Sequence, residues 1–196
     1  KNMAQRSNFY MNSEYLNIAD NANLSTGNID FTVAAWVYPD SLTDDRSITA
    51  KFTPGGNQRE YLLRLNATSG AAAFFVSSDG VNVDGSVTGS NRSTGVWSLI
   101  IAWHDSVGDT INIQENNGSV TSTAFSAGVF DSTAEFRLGT RGDLIQFWDG
   151  RIDEVGCWKK VLTSQERTNL YNGGSGNTYD SAGTCVPQAA MFSVFE

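Results

Sequence analysis

The chain has 196 residues, of which 11% are aromatic, 19 are glycine and only three are proline. This composition favours one all-β domain with many turns over a helical bundle. Its 13 basic and 21 acidic residues give a net charge of −8, which argues against nucleic acid or an anionic membrane as a partner, because both require a basic surface.

Runs of strand-forming residues separated by turns begin near the N-terminus. "SNFYMN" and "EYLNIA" are the first candidate strands, and "FTVAAWVYP" follows after a polar loop. Both faces of that third segment are apolar, which predicts a central strand covered on both sides. "RSITAKF", "EYLLRLN" and "AAAFFVSS" come next, separated by the turns "TPGGNQR" and "ATSG".

The second half of the chain continues the pattern. "VWSLIIAWH" places Trp97, Leu99, Ile101 and Trp103 on one face of a strand. "TINIQENNGSVTSTAF" predicts two strands joined in a hairpin at Asn117-Gly118. "AEFRLGTR" and "GRIDEVGCW" complete the strands, and no apolar run reaches the ~20 residues that a membrane span needs.

One short helix is predicted after the last strand. Thr163 and Glu166 form a T-x-x-E capping box, in which each side chain accepts a backbone N–H at the other position. Leu162, Leu170 and Tyr171 form its apolar face, and glycines 173–174 end it. A helix of about two turns is unstable alone, so it must pack against a larger body.

Ten or more strands and one helix predict an all-β fold in which two antiparallel sheets form a sandwich. We expect one domain over residues 1–174 and a tail over residues 175–196 that ends in the apolar "AAMFSVFE". This tail either pairs with an edge of its own domain or docks on a neighbouring subunit or larger particle. The tail residues that would be buried are Met191, Phe192, Val194 and Phe195.

The order of these segments resembles a known family. The matching segments are "YLNI", "FTVAAWVYP", "VWSLIIAWHD", "IQENNGSV", "FRLGTR" and "FWDGRIDEVGCWKKVLTSQERTNLY". Together they resemble the laminin-G-like, concanavalin A-like jelly-roll family over residues 8–172. The resemblance implies a jelly-roll sandwich in which the short helix is the closing element beside the last strand.

The residues predict no enzyme. Glycosidases on concanavalin A-like folds carry an ExDxxE strand that places two carboxylates on one face, and this motif is missing. Asp149 and Asp153 lie four residues apart, but Asp149 lies in the preceding turn and neither has an obvious partner glutamate for catalysis. His104 is the only histidine, and Asp105 would point to the opposite face of the same strand. We expect His104 to face solvent or a loop.

Two cysteines, Cys157 and Cys185, allow one disulfide without requiring it. Their spacing is not that of a zinc site. Strand alternation places Cys157 on the face of Val155 and indicates a small buried side chain.

Calcium is the metal that the resemblance implies, because similar jelly-roll domains hold a structural calcium through loop oxygens. The aspartate of the Ile-Asp-Glu-Val strand is a ligand in some related modules. Asp153 is therefore one predicted ligand, with Asp20 as the second. The alternative is that Asp153 hydrogen-bonds a turn and Asp20 is solvated.

The resemblance implies a non-catalytic recognition or adhesion module that binds glycan or protein surfaces through rim loops, outside the cell or on a virion. Trp148 and Asp149 precede the last strand, where an exposed indole would stack on a sugar; burial of Trp148 is the alternative. A structural component of a larger assembly, such as a virion decoration or tail protein, is the second hypothesis. A glycoside hydrolase is the third.

Overall fold

The chain forms two antiparallel β-sheets in a computed structural model, which describes residues 7–9 and 14–177. The strands are β1 (Ser7–Phe9), β2 (Leu16–Ile18), β3 (Phe31–Pro39), β4 (Arg46–Thr53), β5 (Gln58–Leu65), β6 (Ala72–Val76), β7 (Gly85–Thr88), β8 (Ser98–Asp105), β9 (Thr110–Glu115), β10 (Thr121–Ala124), β11 (Phe136–Leu138) and β12 (Gly150–Trp158). A helix, α1 (Ser164–Tyr171), and a 3₁₀ turn (Asn172–Gly174) follow. Sheet A has the order β1-β12-β3-β8-β9-β10, and sheet B has the order β2-β11-β4-β5-β6-β7. The predicted two-sheet sandwich with one short helix is confirmed.

The main core lies between the two sheets, and β3 contributes one face to it. Phe31, Val33, Ala35 and Val37 point into this core, whereas Ala34 and Trp36 belong to a second apolar cluster on the outer face of sheet A. β3 lies between β12 and β8 and is buried over almost its whole length. The predicted cover on both sides of this strand is therefore confirmed.

Helix α1 closes the outer face of sheet A. The capping box is present: Thr163 Oγ1 accepts the N–H of Glu166, and the Glu166 carboxylate accepts the N–H of Thr163. The helix ends at Asn172, which adopts a left-handed conformation one residue before the predicted glycines. Tyr171 stacks on Trp36 with ring centroids 5.9 Å apart. No helix among the described residues is long and apolar enough to cross a membrane.

The structure corrects several predicted strands. The hairpin around Asn117 is confirmed as β9–β10, with Asn116 and Asn117 at positive φ. The first two strands are only three residues long each. The sequence did not predict β7. Its segment "GSVT" has only two buried residues, a glycine and a valine, which alternate with two exposed polar residues.

Trp97 was predicted to share the buried face of Trp103. It precedes β8 and is only partly buried, packing against the outer cluster of sheet A and against Tyr38. Trp103, in contrast, is 5% exposed.

The predicted tail segment containing Met191, Phe192, Val194 and Phe195 lies outside the described residues, as does Cys185. Docking of the tail, the domain boundary at residue 174 and a Cys157–Cys185 bridge therefore stay predictions. Cys157 packs against the inter-sheet core together with Val155, as the strand alternation predicted.

Candidate functional site

Trp148 does not present an exposed ring for sugar stacking. Its side chain is 0% exposed and belongs to the inter-sheet core, and its backbone N–H donates to the carbonyl of Gly139. The neighbouring Asp149 is also buried, with its carboxylate 3.8 Å from the guanidinium of Arg46. The expectation of an exposed indole is wrong. Trp148 is a core residue, and Asp149 helps to balance a buried arginine.

The two aspartates predicted as calcium ligands do not share a site. Asp153 lies in sheet A opposite Trp36, and its carboxylate accepts the N–H of Glu154. Asp20 follows β2 of sheet B and binds Lys51. Within residues 14–177, no group of three or more His, Cys, Asp or Glu side chains is arranged to hold a metal ion. These two residues do not fit a calcium ion.

Lys51 occupies the oxygen-rich position beside Asp20. Its side chain is fully buried, and its Nζ donates to Asp20 at 2.6 Å and to the carbonyls of Ala134 and Ser132 at 2.9 and 3.2 Å. The buried carboxylate of Glu60 lies 3.5 Å from the same nitrogen. An ammonium group thus supplies the positive charge that these oxygens require.

We therefore expect a chelator to leave the melting temperature unchanged, because Asp20 binds Lys51 and no cluster of metal-binding side chains is present in the part of the chain that the structure describes. The measurement is a thermal melt with EDTA and with added calcium. A drop in EDTA that calcium reverses would contradict this result. Asp153→Asn and Asp20→Asn would then show whether either carboxylate is responsible.

His104 and Cys157 have no catalytic arrangement. His104 is 1% exposed, with Nδ1 2.9 Å from the carbonyl of Ile29 and its ring against Phe31. It does not face solvent, and its contact with the carbonyl of Ile29 agrees with the alternative prediction that it faces a loop. Asp105 accepts backbone N–H groups of its own turn instead of holding the histidine. Burial raises the pKa of Cys157 to about 12, so its thiol is not a nucleophile at neutral pH.

The outer face of sheet B combines aromatic and basic side chains. One row of paired residues crosses four neighbouring strands of this face: Arg137 pairs with Ala50, Ala50 with Leu62, and Leu62 with Phe75. Ala50, Leu62 and Phe75 belong to an apolar cluster that is separate from the inter-sheet core.

Four arginines lie over aromatic rings on this face. The guanidinium carbon lies 4.8 Å from the ring centroid of Phe75 for Arg64 and 5.3 Å from that of Tyr15 for Arg137. Two more guanidinium carbons lie over the ring of Phe52, that of Arg141 at 5.6 Å and that of Arg59 at 5.8 Å. Such cation–π contacts orient the guanidinium planes. We name this surface the arginine face. It consists of Arg59, Arg64, Arg137, Arg141, Tyr15, Phe52 and Phe75.

The arginines on this face contact carboxylates at its margin. Arg64 pairs with Asp45, and Arg141 pairs with Asp143, at 2.5 Å in each case. The carboxylate side chains are 28% and 30% exposed, more than the arginines they bind. Ion pairs this close to solvent contribute little stability, so an incoming ligand can compete with them.

The segment between β11 and β12 borders the arginine face. The carbonyl of Gln146 accepts the N–H of Ser47, and the Gln146 amide donates to Asp45. Leu144 and Ile145 at the tip of this segment are 45% and 46% exposed. Leu144 and Gln146 both have positive φ, a conformation that sequence alternation does not reveal.

The sandwich matches one model of a known protein family. The family model described as the concanavalin A-like lectin/glucanases superfamily matches residues 11–166. The chain belongs to this superfamily. The matched range includes Arg59, Arg64, Arg137 and Arg141, and no curated protein is a sequence match.

Solved structures share the superfamily fold at low identity. A protein of Bacteroides ovatus, described as a candidate carbohydrate-binding protein, has a TM-score of 0.63 at 14% identity, over 82% of this chain and 45% of that one. The CBM40 of a Ruminococcus gnavus IT-sialidase, bound to α2,3 sialyllactose, has a TM-score of 0.64 at 13% identity, over 83% and 95%. The binding domain of botulinum neurotoxin DC, in complex with rat synaptotagmin II, has a TM-score of 0.61 at 11% identity, over 81% and 39%.

At these identities the similarity shows the fold alone. The chain spans less than half the length of the Bacteroides ovatus protein and of the neurotoxin domain.

Proposed function

We propose that the chain is a non-catalytic recognition module that binds glycan through the arginine face and acts outside the cell. One observation carries the proposal: the partly exposed rings of Tyr15 and Phe75 lie beside guanidinium groups on the outer face of sheet B. Aromatic rings stack on the apolar faces of sugars, and forked donors bind their oxygens. The glycan-binding function in the names of two structural neighbours supports the proposal.

The outer face of sheet A is less suited to this role. Helix α1 covers its centre through the cluster around Trp36 and Leu170. Among the described residues, the outer face of sheet B carries its own side chains, with the segment around Gln146 beside it. The glycan position in this proposal is therefore a sheet face, not the rim position first predicted at Trp148 and Asp149.

Two aromatic substitutions test the proposal. We expect Tyr15→Ala and Phe75→Ala each to weaken binding of a glycan identified on an array by about tenfold, because each removes a contact surface of the kind that dominates binding energy. The measurement is calorimetry on variants that are first shown to be folded by circular dichroism.

Tyr38→Ala is the matched control. Tyr38 also lies under an arginine, with the guanidinium of Arg151 4.6 Å from its ring centroid, but in sheet A. This variant should bind glycan as the parent does. If Tyr38→Ala weakens binding while Tyr15→Ala and Phe75→Ala do not, the site lies on the other sheet.

A protein is the alternative ligand for a recognition module of this kind. One structural neighbour, the neurotoxin binding domain, is in complex with synaptotagmin. Assembly into a virion or other particle stays a prediction that rests on the tail residues. A chain that binds no glycan on the array but binds a protein through Tyr15 and Phe75 would replace glycan by protein in this proposal.

A further inference from the structure

The arginine face gathers basic groups in an acidic chain. The chain has 13 basic and 21 acidic residues, yet four arginines lie over three neighbouring rings of one sheet face. Three carboxylates pair with them, those of Asp45, Glu135 and Asp143. The four arginines and three carboxylates together carry a net charge of +1, whereas the whole protein carries a net charge of −8.

Two interactions link Arg137, Arg141 and Arg64. Arg137 donates from Nη1 to the carbonyl of Arg141. Burial lowers the pKa of Arg64, Asp45 opposes this, and the like charge of Arg141 lowers the pKa further. The charges of Asp45 and Arg141 thus both act on Arg64, and an oxyanion beside the two guanidinium groups would be attracted to both.

The arginines also retain donors. A guanidinium has five N–H groups in a planar fork. Arg64 Nε is buried and has no hydrogen-bond partner among the described residues, so a ligand would reach the rest of this side chain, which is 20% exposed. The hydrogen bond from Arg59 to the carbonyl of Gly80 is long, at 3.3 Å, and Arg59 has no acidic partner among the described ion pairs. The face can thus accept an oxyanion as well as hydroxyl groups.

We propose that the ligand of the arginine face is an acidic glycan, whose carboxylate or sulfate group binds Arg64 and Arg141 while a sugar ring packs against the stacked side chains of Arg64 and Phe75. This inference rests on the proposed function and specifies its ligand class. Forked guanidinium groups match the geometry of both oxyanions.

The test compares related glycans with and without an acidic group. A glycan array carries matched neutral and acidic members, including lactose, α2,3-sialyllactose and 3′-sulfolactose, together with uronic acid oligosaccharides and their neutral counterparts. Acidic members should bind at least about tenfold more tightly than their neutral partners, as expected for one charge-assisted contact. Their affinity should fall as salt rises, because ions screen exposed charges. The carboxylate and sulfate arms show which oxyanion is preferred.

Arginine variants locate the charge effect. Arg64→Met and Arg141→Met should each lower affinity for the acidic member by about tenfold and leave affinity for the neutral member nearly unchanged. Arg151→Met is the matched control, since it removes the same charge from an arginine that lies over a tyrosine on sheet A. Arg64→Lys keeps the charge but loses the fork, so its affinity should be intermediate.

The outcomes separate this inference from the proposed function. Equal binding of neutral and acidic members, lost in Phe75→Ala, would overturn the acidic ligand and leave the glycan-binding face standing. Equal loss of affinity in Arg64→Met and Arg151→Met would show a general charge effect and overturn the assigned contacts. An array without any bound glycan would overturn both proposals.

Discussion

Lys51→Met should lower the free energy of unfolding by about 3–5 kcal/mol, the range found when one partner of a buried ion pair is removed. Lys51 and Glu60 have fully buried side chains, with 3.5 Å between Nζ and the carboxylate. The substitution also removes the hydrogen bonds from Nζ to Asp20, Ser132 and Ala134. These bonds join the loop after β2 to the segment before β11, so both should loosen. Urea unfolding measures the loss.

The destabilisation should depend on pH through Glu60. Burial raises the pKa of Glu60 above 4.5, whereas the charge of Lys51 and hydrogen bonds from Thr26 and Ser132 act in the opposite direction. A carboxyl whose pKa is higher in the folded state contributes stability that is fully present below pH 4.5 and is lost as pH rises through the folded pKa. Without Lys51 the folded pKa rises further, so the loss extends to higher pH. The deficit of Lys51→Met should therefore be largest at neutral pH and shrink in acid.

Two further variants make this result specific. Lys51→Met/Glu60→Gln removes both charges, so it should recover part of the stability at neutral pH and flatten the pH profile. Lys160→Met breaks a surface pair with Glu166, in which the lysine side chain is 45% exposed, and should cost only about 0–1 kcal/mol. Equal losses for Lys51→Met and Lys160→Met would show that the charge of Lys51 is solvated.

The fold could be predicted because its signals are local. The apolar faces of β3, the Asn117 hairpin and the Thr163 capping box each depend on residues close together in sequence. The position of Lys51 depends on residues that are distant from it in sequence. The pairing of β4 with β5 changes register before residue 49 and again after residue 51, which places Lys51 opposite Tyr61 on the core face. The alternation of apolar and polar residues in the sequence does not indicate such a change of register.

The arginine face could be predicted only in part. Arg64 interrupts an apolar run and Arg137 separates two apolar residues, so the sequence predicts that each arginine side chain points away from the core. Their convergence depends on the order β11-β4-β5 in sheet B, which joins segments more than 70 residues apart. A single sequence does not specify that order. Arg141 lies outside the strands, and its position depends on the hydrogen bond between Gly142 and Phe52.

Trp148→Ala should lower the free energy of unfolding by about 3–5 kcal/mol, as for other buried aromatic residues cut back to alanine. The indole is 0% exposed between the two sheets. No flexible surface segment can fill the resulting cavity, because the flanking backbone is held by Trp148 N–H to Gly139 and by Asp40 N–H to Asp149. Trp148→Phe keeps most of the apolar volume and should lose less. Thermal and urea unfolding measure both variants.

Binding measurements on Trp148→Phe distinguish the core position from the sugar-stacking role first predicted for this residue. A buried Trp148 supports the sheets without touching ligand, so the folded variant should bind glycan with the parent's dissociation constant. Tyr15→Ala should show the reverse, with weakened binding and little loss of stability, since Tyr15 is 37% exposed. If Trp148→Phe melts like the parent and binds glycan more weakly, Trp148 contacts ligand and the site lies at the rim beside Asp149. If stability falls and affinity stays constant, recognition belongs to a surface that Trp148 only holds in place.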